Sequence, residues 1–172
     1  MIKSAVIIPT GDEIASGVVL DTDSPEIMRQ LLALEPAMAV SRRTPVRDEE
    51  ETIAEALVRA AKEADLVILI GGSGGGHRFD PALGRDFTHS ALERVLEGAV
   101  SRRLFGTNGH LWCRLVCGRL GGALVINLPG PFVEAQAAMA AFCRTADLDP
   151  DSINEAMTRA VLATYPGGAE LL

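Results

Sequence analysis

The chain has 172 residues, of which 48% are hydrophobic and 23% are charged. This length favours one domain with a sizeable core, and we predict a single domain over residues 1–172. The net charge of −7 argues against a nucleic-acid partner, which normally needs a basic face. No apolar run approaches membrane-spanning length. Three cysteines without C-x-x-C spacing, and no charged-then-apolar leader, favour free thiols in a cytoplasmic protein.

The predicted elements of the first third alternate between strands and helices. Residues 5–8 give a first strand. Ser24, followed by proline, is predicted to cap the next helix, because proline is favoured at the first helical position. Residues 37–40 give a short second strand. Asp48 and Glu51 then have the spacing of a capping box ahead of another helix.

The central predicted strand is Leu66–Ile70, since five consecutive apolar residues are typical of a strand buried on both faces. Five of the next six residues are glycines. A glycine run indicates either positive φ or the close approach of a ligand, typically an anion bound by backbone amides; a flexible connector is equally compatible. The Walker pattern fails, because His77 and Arg78 stand where Lys and Ser/Thr belong, and no register gives the dinucleotide fingerprint.

The second half of the chain has a less regular pattern. Between the helix predicted over residues 88–96 and a strand over residues 123–127, the stretch from 99 to 118 gives no clear assignment beyond a turn near residues 106–109. Two helices, over residues 133–142 and 153–163, are predicted to follow.

Alternating helices and continuously apolar strands predict a three-layer α/β/α fold with a mostly parallel central sheet. Leu66–Ile70 is expected at its centre. Ligands of such folds bind beyond the carboxyl ends of the strands. Three strand ends carry unusual chemistry and are expected to meet at one edge of the sheet: Thr10 to Glu13, Gly71 to Gly76, and Asn127 to Gly130.

These stretches, in this order, resemble the molybdopterin-binding domain shared by the MoaB/Mog, MoeA and CinA families. Residues 10–14 and 21–24 are similar to the T-G-D-E-L…D-T-N-S opening of the MoeA and CinA branches, and residues 46–49 resemble [VI]-x-D-[DE]. Residues 70–74 resemble the T-G-G-[TL]-G loop, and residues 118–130 resemble a Mog-branch stretch ending in N-[LM]-P-G. The resemblance covers nearly the whole chain and implies the MoaB/Mog-like fold.

The region after the glycine loop departs from the family pattern. The Mog branch has a catalytic Asp in D-[VY]-T-x-x-A; Asp86 has the better local match, whereas Asp80 lies close to the expected distance, with residues 79–85 as an insertion. We favour Asp86 and keep Asp80 as the alternative. Cys113-Arg114 stands where the branch has Ser-Arg, and residues 108–112 are not part of the pattern.

The resemblance implies a protein of molybdenum or tungsten cofactor biosynthesis that binds molybdopterin. Its Mog-type activity would be the Mg²⁺-dependent transfer of AMP from ATP to molybdopterin, with Asp48 and Asp86, or Asp80, as catalytic and metal-binding carboxylates. Asp48 is equally explained as a helix cap. The alternatives are a non-catalytic molybdopterin- or nucleotide-binding protein and a CinA-like nucleotide pyrophosphatase. The resemblance also implies a homo-oligomer, either a trimer or a hexamer.

The remaining candidate residues are predicted to bind substrate. Amides of the glycine loop would hold phosphates, and Arg114 would clamp one. Asp12 and Glu13 would orient the pterin or the metal, although a turn also favours Asp. The three histidines are predicted to lie in loops or at the surface. The full predicted substrate-binding set is Thr10, Gly11, Asp12, Glu13, Gly71, Gly72, Ser73, Gly74, Gly75, Gly76, Arg114, Asn127, Pro129 and Gly130.

Overall fold

The computed structural model describes residues 2–74, 86–165 and 169–171. The strands in these ranges are β1 (Ser4–Pro9), β2 (Ala39–Arg42), β3 (Leu66–Ile70), β4 (Glu97–Gly106), β5 (Leu111–Leu120), β6 (Ala123–Leu128) and β7 (Ala169–Leu171). The helices are α1 (Asp12–Ala15), α2 (Asp23–Leu34), α3 (Glu50–Ala60), α4 (Thr88–Val95), α5 (Phe132–Arg144) and α6 (Pro150–Leu162). None of these described helices combines the length and apolarity that a bilayer crossing requires.

All seven strands form one sheet with the order β2-β1-β3-β6-β5-β4-β7. The pairs from β2 to β6 are parallel, and the pairs from β6 to β7 are antiparallel. Five strands therefore point in one direction, and only β5 and β7 oppose them. The predicted mostly parallel sheet is confirmed, and β3 lies inside it between two parallel neighbours.

The sheet separates two apolar cores. Leu66, Ile68 and Ile70 face a core completed by α2, α5 and α6. Val67 and Leu69 face the opposite core, which α3 and α4 cover. Because side chains alternate across a strand, an apolar run with no polar position is what burial on both faces requires. The predicted three-layer arrangement is confirmed.

The stretch that the sequence left unassigned forms the hairpin of β4 and β5, ten residues each. Most of β4 is exposed or half-buried and includes Arg102 and Arg103, so it lacks the apolar run that marks a buried strand. The turn expected near residues 106–109 connects the two strands.

Two predicted helix caps are wrong. Helix α2 begins at Asp23, before Ser24, and the amide of Ser24 donates to Oδ1 of Asp21 at 3.0 Å. Helix α3 begins at Glu50, with no side-chain cap. The carboxylate of Asp48 instead accepts a hydrogen bond from the amide of Asp12 at 3.2 Å, because the end of β1 lies beside it.

Asn127 joins β6 to β5 where their backbone pairing ends. The ladder stops at the pair of Cys117 and Ile126. Beyond it, the side-chain oxygen of Asn127 accepts from the amide of Val116 at 2.6 Å, and its Nδ2 donates to the carbonyl of Arg114 at 3.0 Å. Asn127 is completely buried, so its side chain substitutes for two backbone partners in the core.

We expect Asn127→Ala to lower the free energy of unfolding by about 2–4 kcal/mol, because two buried backbone groups lose their partners. Chemical denaturation measures this loss. The matched control is Asn108→Ala in the exposed turn, where Oδ1 accepts a single amide hydrogen bond and water replaces it. Equal losses in the two variants would contradict the structural role of Asn127.

Candidate functional site

A cavity of about 730 Å³ lies at the carboxyl ends of the parallel strands β1, β3 and β6. Residues from all three predicted strand ends line it, as the fold class led us to expect. From these strand ends come Pro9, Thr10, Glu13, Ile70, Gly71, Gly72, Ser73, Gly74, Pro129 and Gly130. The other elements contribute Ile14, Val19, Asp23, Asp86, Leu111, Trp112, Pro131, Glu134 and Tyr165.

The start of the glycine loop is tied to its neighbours by hydrogen bonds. The hydroxyl of Thr10 donates to the carbonyl of Ile70 at 3.0 Å and lies 2.9 Å from the hydroxyl of Thr88. The amide of Thr88 in turn donates to the carbonyl of Gly72 at 3.1 Å. Strand β1 and helix α4 therefore hold the loop from two sides.

Gly71 and Gly72 are required by the protein's own packing. Their φ angles are +99° and +59°, in the region that favours glycine. A Cβ on Gly71 would lie 2.6 Å from the carbonyl oxygen of Thr10, and one on Gly72 would collide with Oγ1 of Thr88. Positive φ, one of the two predicted reasons for the glycine run, is confirmed at both positions.

Asp86 lies against the glycine loop. A Cβ added to Gly74 would be 2.9 Å from Oδ2 of Asp86, so the absence of a side chain there allows the carboxylate to approach the backbone. Asp86 also lines the cavity. The alternative, Asp80, lies outside the described residues, as do Gly75 and Gly76.

Asp48 approaches the same region from the segment before α3. Its Oδ1 is buried and has no hydrogen-bond partner among the described residues. Burial, together with the negative charges of Glu13, Asp12 and Asp86, raises the pKa of Asp48 to about 6, and the hydrogen bond from the Asp12 amide opposes this rise. Asp48 and Asp86 are therefore close enough to interact electrostatically.

These carboxylates fit a metal that arrives with its own ligands. Within the part of the chain that the structure describes, no three acidic, histidine or cysteine side chains are grouped to hold a metal ion. Mg²⁺ usually takes one or two protein carboxylates and completes its shell with water and substrate phosphates. The unpartnered oxygen of Asp48 and the nearby carboxylate of Asp86 suit that mode.

Arg114 and Asn127, both predicted to bind substrate, contact other parts of the protein in this structure. The Nε of Arg114 donates to Oγ of Ser101 at 3.0 Å, and its guanidinium pairs with Glu93. Neither Arg114 nor Asn127 belongs to the described cavity lining. Arg114 supports the site through its amide, which donates to the carbonyl of Ser73 at 2.6 Å, so both residues have structural roles.

His89 lies outside the described cavity lining but contacts the glycine loop, which the sequence reasoning did not predict. It lies half-buried on α4, not at the surface, with Nε2 3.3 Å from the carbonyl oxygen of Gly74. Because a carbonyl only accepts, Nε2 carries the proton. Burial lowers the pKa of His89, so the ring is neutral at pH 7. Its sequence context, Thr-His-Ser-Ala, gave no sign of this contact.

The cavity lining also includes Asp23, which lies in the motif at residues 21–24 but was not a predicted site residue, and the aromatic residues Trp112 and Tyr165. Asp23 is 9% exposed, and burial, with the charge of Asp21, raises its pKa to about 6. Trp112 and Tyr165 pack edge to face, with ring centroids 4.4 Å apart. Tyr165 lies outside every recognised motif, so only the folded chain brings it to the cavity.

The fold and the cleft define an α/β domain with a cavity beside a glycine loop, beyond the carboxyl ends of its parallel strands. The profile of the family described as "Probable molybdopterin binding domain" matches residues 6–148. The chain belongs to this family, which confirms the resemblance noted in the sequence.

Solved structures of similar architecture support the fold assignment. A molybdopterin biosynthesis protein from Mycobacterium abscessus is 22% identical, with a TM-score of 0.65 over 94% of this chain and 98% of that one. The molybdopterin biosynthesis Mog protein from Mycobacterium ulcerans is 26% identical, with a TM-score of 0.58 over 94% and 93%. The tungsten cofactor synthesizing protein MoaB from Pyrococcus furiosus is 18% identical, with a TM-score of 0.57 over 94% and 93%.

A curated relative matches over a shorter region. A CinA-like protein from Anaeromyxobacter dehalogenans is 40% identical over 68 residues, which are 40% of this chain. The match covers only 16% of that relative's length, so the likeness concerns a part of a larger protein.

We expect Asp48→Asn to stabilise the folded chain above pH 6. The raised pKa means that the folded state binds the proton more tightly than the unfolded state, so the stability that protonation supplies is lost as the pH rises from about 4 to about 6. Removing the charge should add about 1 kcal/mol at pH 8, a value that allows for solvent screening of this half-buried group.

Thermal melts at pH 8 and below pH 4 measure the effect, which should vanish at the lower pH. Asp147→Asn, at an exposed position, is the matched control and should change stability at neither pH. Equal stability of Asp48→Asn and wild type at pH 8 would contradict the electrostatic account.

Proposed function

We propose that this protein acts in molybdenum or tungsten cofactor biosynthesis, binds molybdopterin in the cleft and transfers AMP to it from ATP. The observation that carries the proposal is the proximity of two carboxylates from separate segments: Asp86 lies against Gly74 in the cavity lining, and Asp48, outside that lining, is close enough to Asp86 to interact with its charge. The names of the similar Mog and MoaB structures support the cofactor pathway. In this step an oxygen of the terminal phosphate of molybdopterin bonds to the α-phosphorus of ATP, and pyrophosphate leaves.

The chemical problem of this reaction is charge, because both substrates are polyanions. The described lining of the cavity includes no Lys, Arg or His and has four carboxylates, from Glu13, Asp23, Asp86 and Glu134. A divalent cation bound to the phosphates, with Asp48 and Asp86 as its protein ligands, would offset this repulsion. The acidity of the cleft therefore favours Mg²⁺ dependence.

The protein's own contribution to phosphate binding comes from the glycine loop. The amide of Gly71 donates to the carbonyl of Leu128 at 3.1 Å, so it serves the sheet. Phosphate binding then falls to the amides of Gly72, Ser73 and Gly74, together with those of Gly75 and Gly76. Pro129 and Gly130 form the neighbouring wall, and Asp12 and Glu13 orient the substrates from the first loop.

We expect Asp86→Asn to reduce AMP transfer at least about 100-fold while the fold stays intact, because an electrostatic contact to the transition state is removed. The measurement is pyrophosphate release from ATP with Mg²⁺ and molybdopterin. Asp147→Asn is the control. Full activity in Asp86→Asn, with loss in Asp80→Asn, would transfer the role to Asp80.

A CinA-like nucleotide pyrophosphatase is the second candidate, supported by the 40% identity over 68 residues to a CinA-like protein. This activity would hydrolyse ADP-ribose with Mg²⁺ in the absence of any pterin. Binding of molybdopterin without turnover of ATP or ADP-ribose would instead identify a non-catalytic binding protein.

We also propose a homo-oligomer, a trimer or a hexamer. Val18 and Leu20, between α1 and α2, are 82% and 80% exposed, and adjacent exposed apolar side chains are typical of an interaction surface. Light scattering at micromolar concentration should give a multiple of three subunits, and Leu20→Asp should reduce that mass. A monomeric mass for the wild type would contradict the proposal.

A further inference from the structure

Apart from the glycine loop and the carboxylates next to it, four of the residues that line the cavity have acidic or aromatic side chains. Asp23 comes from the first turn of α2, Trp112 from β5, Glu134 from the first turn of α5, and Tyr165 follows α6. They meet only in the folded chain. Together they provide hydrogen-bond acceptors beside a pair of aromatic rings.

Asp23 offers an acceptor that the protein does not use. It is 9% exposed, and its Oδ1 has no hydrogen-bond partner among the described residues. The nearby amide of Ser24 donates to Asp21 and is not available to it. An ionised carboxylate oxygen only accepts, and leaving one buried and unpaired is costly. This arrangement calls for a ligand that donates hydrogen bonds.

The aromatic pair offers a surface for a flat ring. Trp112 and Tyr165 are the only tryptophan and tyrosine of the chain, and they contact each other at an interplanar angle of 69°. Trp112 lies directly over Gly106, where any Cβ would collide with the indole. The indole therefore packs against the backbone of β4, at a position where glycine leaves room for it. A planar ligand that stacks on one ring would meet the edge of the other.

Tyr165 also restrains the second acidic side chain. Its hydroxyl interacts with Glu134, which opposes the effect of burial on the pKa of that carboxyl. Tyr165 therefore connects the aromatic wall to the acidic side of the cavity.

We propose that Asp23 and the Trp112–Tyr165 pair bind a fused heterocycle through its 2-amino-4-oxo-pyrimidine edge, which guanine and pterins share. The ring N–H and the adjacent amino group would donate to the Asp23 carboxylate, while the ring packs on the aromatic wall. In adenine the amino donor lies next to a ring nitrogen that is an acceptor, and the carboxylate would repel this nitrogen. The inference rests on the proposed function in assigning the ligand to this cleft, and it adds the residues that recognise the heterocycle and the edge that they contact.

Calorimetric titration with GMP, IMP, AMP and 6-carboxypterin tests the inference. At pH 7.5 Asp23 is ionised, since burial raises its pKa only to about 6. We expect GMP to bind at least about tenfold more tightly than either IMP, which lacks the amino group, or AMP. A difference of this size is what one bidentate contact supplies. Quenching of the single tryptophan should report binding at Trp112. The tighter of GMP and 6-carboxypterin identifies the source of the heterocycle.

Two variants separate the edge contact from the stacking contact. Asp23→Asn should weaken GMP binding about tenfold and change AMP binding less than threefold, with no loss of melting temperature. Trp112→Leu should weaken both nucleotides alike. Glu97→Gln, an exposed acid on β4 outside the cavity lining, is the matched control.

Equal wild-type affinities for GMP, IMP and AMP, or no binding of GMP and 6-carboxypterin, would overturn the inference without any variant. These binding assays contain no ATP or molybdopterin. Base discrimination without AMP transfer would therefore leave the inference standing and remove the proposed function. AMP transfer without base discrimination would do the reverse.

Discussion

The hydrogen-bonded junction of Thr10, Thr88 and Gly72 is the constraint on which the site depends. Both threonines are almost completely buried, and their hydroxyls lie 2.9 Å apart. The amide of Thr88 holds the carbonyl of Gly72, and a side chain at Gly72 would not fit beside Thr88. Asp86 is two residues before Thr88, so the same junction fixes the backbone that brings this carboxylate to the loop.

The electrostatics of the cleft follow from burial of like charges. Asp48 and Asp23 both have a pKa raised to about 6, and in both burial is the largest cause. Among the described residues, neither has a cationic partner that offsets burial, in contrast to Asp21, which pairs with Arg42. Two carboxylates that the fold destabilises at neutral pH are typical of positions kept for a ligand or a cation. The fold therefore gives up stability at these two positions.

Sequence patterns predicted the elements that the apolar core controls. An element buried on both faces, such as Leu66–Ile70, must be continuously apolar, so its position and its place inside the sheet were readable. The β4–β5 hairpin was not readable, because β4 contains Arg102 and Arg103 in place of a continuous apolar run and no local signal states which strand pairs with which. The predicted caps were wrong for a similar reason: Asp48 has the spacing of a cap, but its carboxylate accepts a hydrogen bond from the amide of Asp12, at the start of α1.

The sequence by itself determined the three-layer fold, the edge of the sheet at which the three strand ends meet, and the position of the glycine loop, because these follow from local composition and chain order. Asp48 and Asp86 were indicated by the resemblance to the family. Only the tertiary structure decided which side chains reach the cavity. It committed Asn127 to the backbone of β5 and Arg114 to Glu93. It brought Tyr165 to Trp112, 53 residues away along the chain. Such contacts depend on strand pairing and side-chain direction across distant segments, which no local pattern encodes.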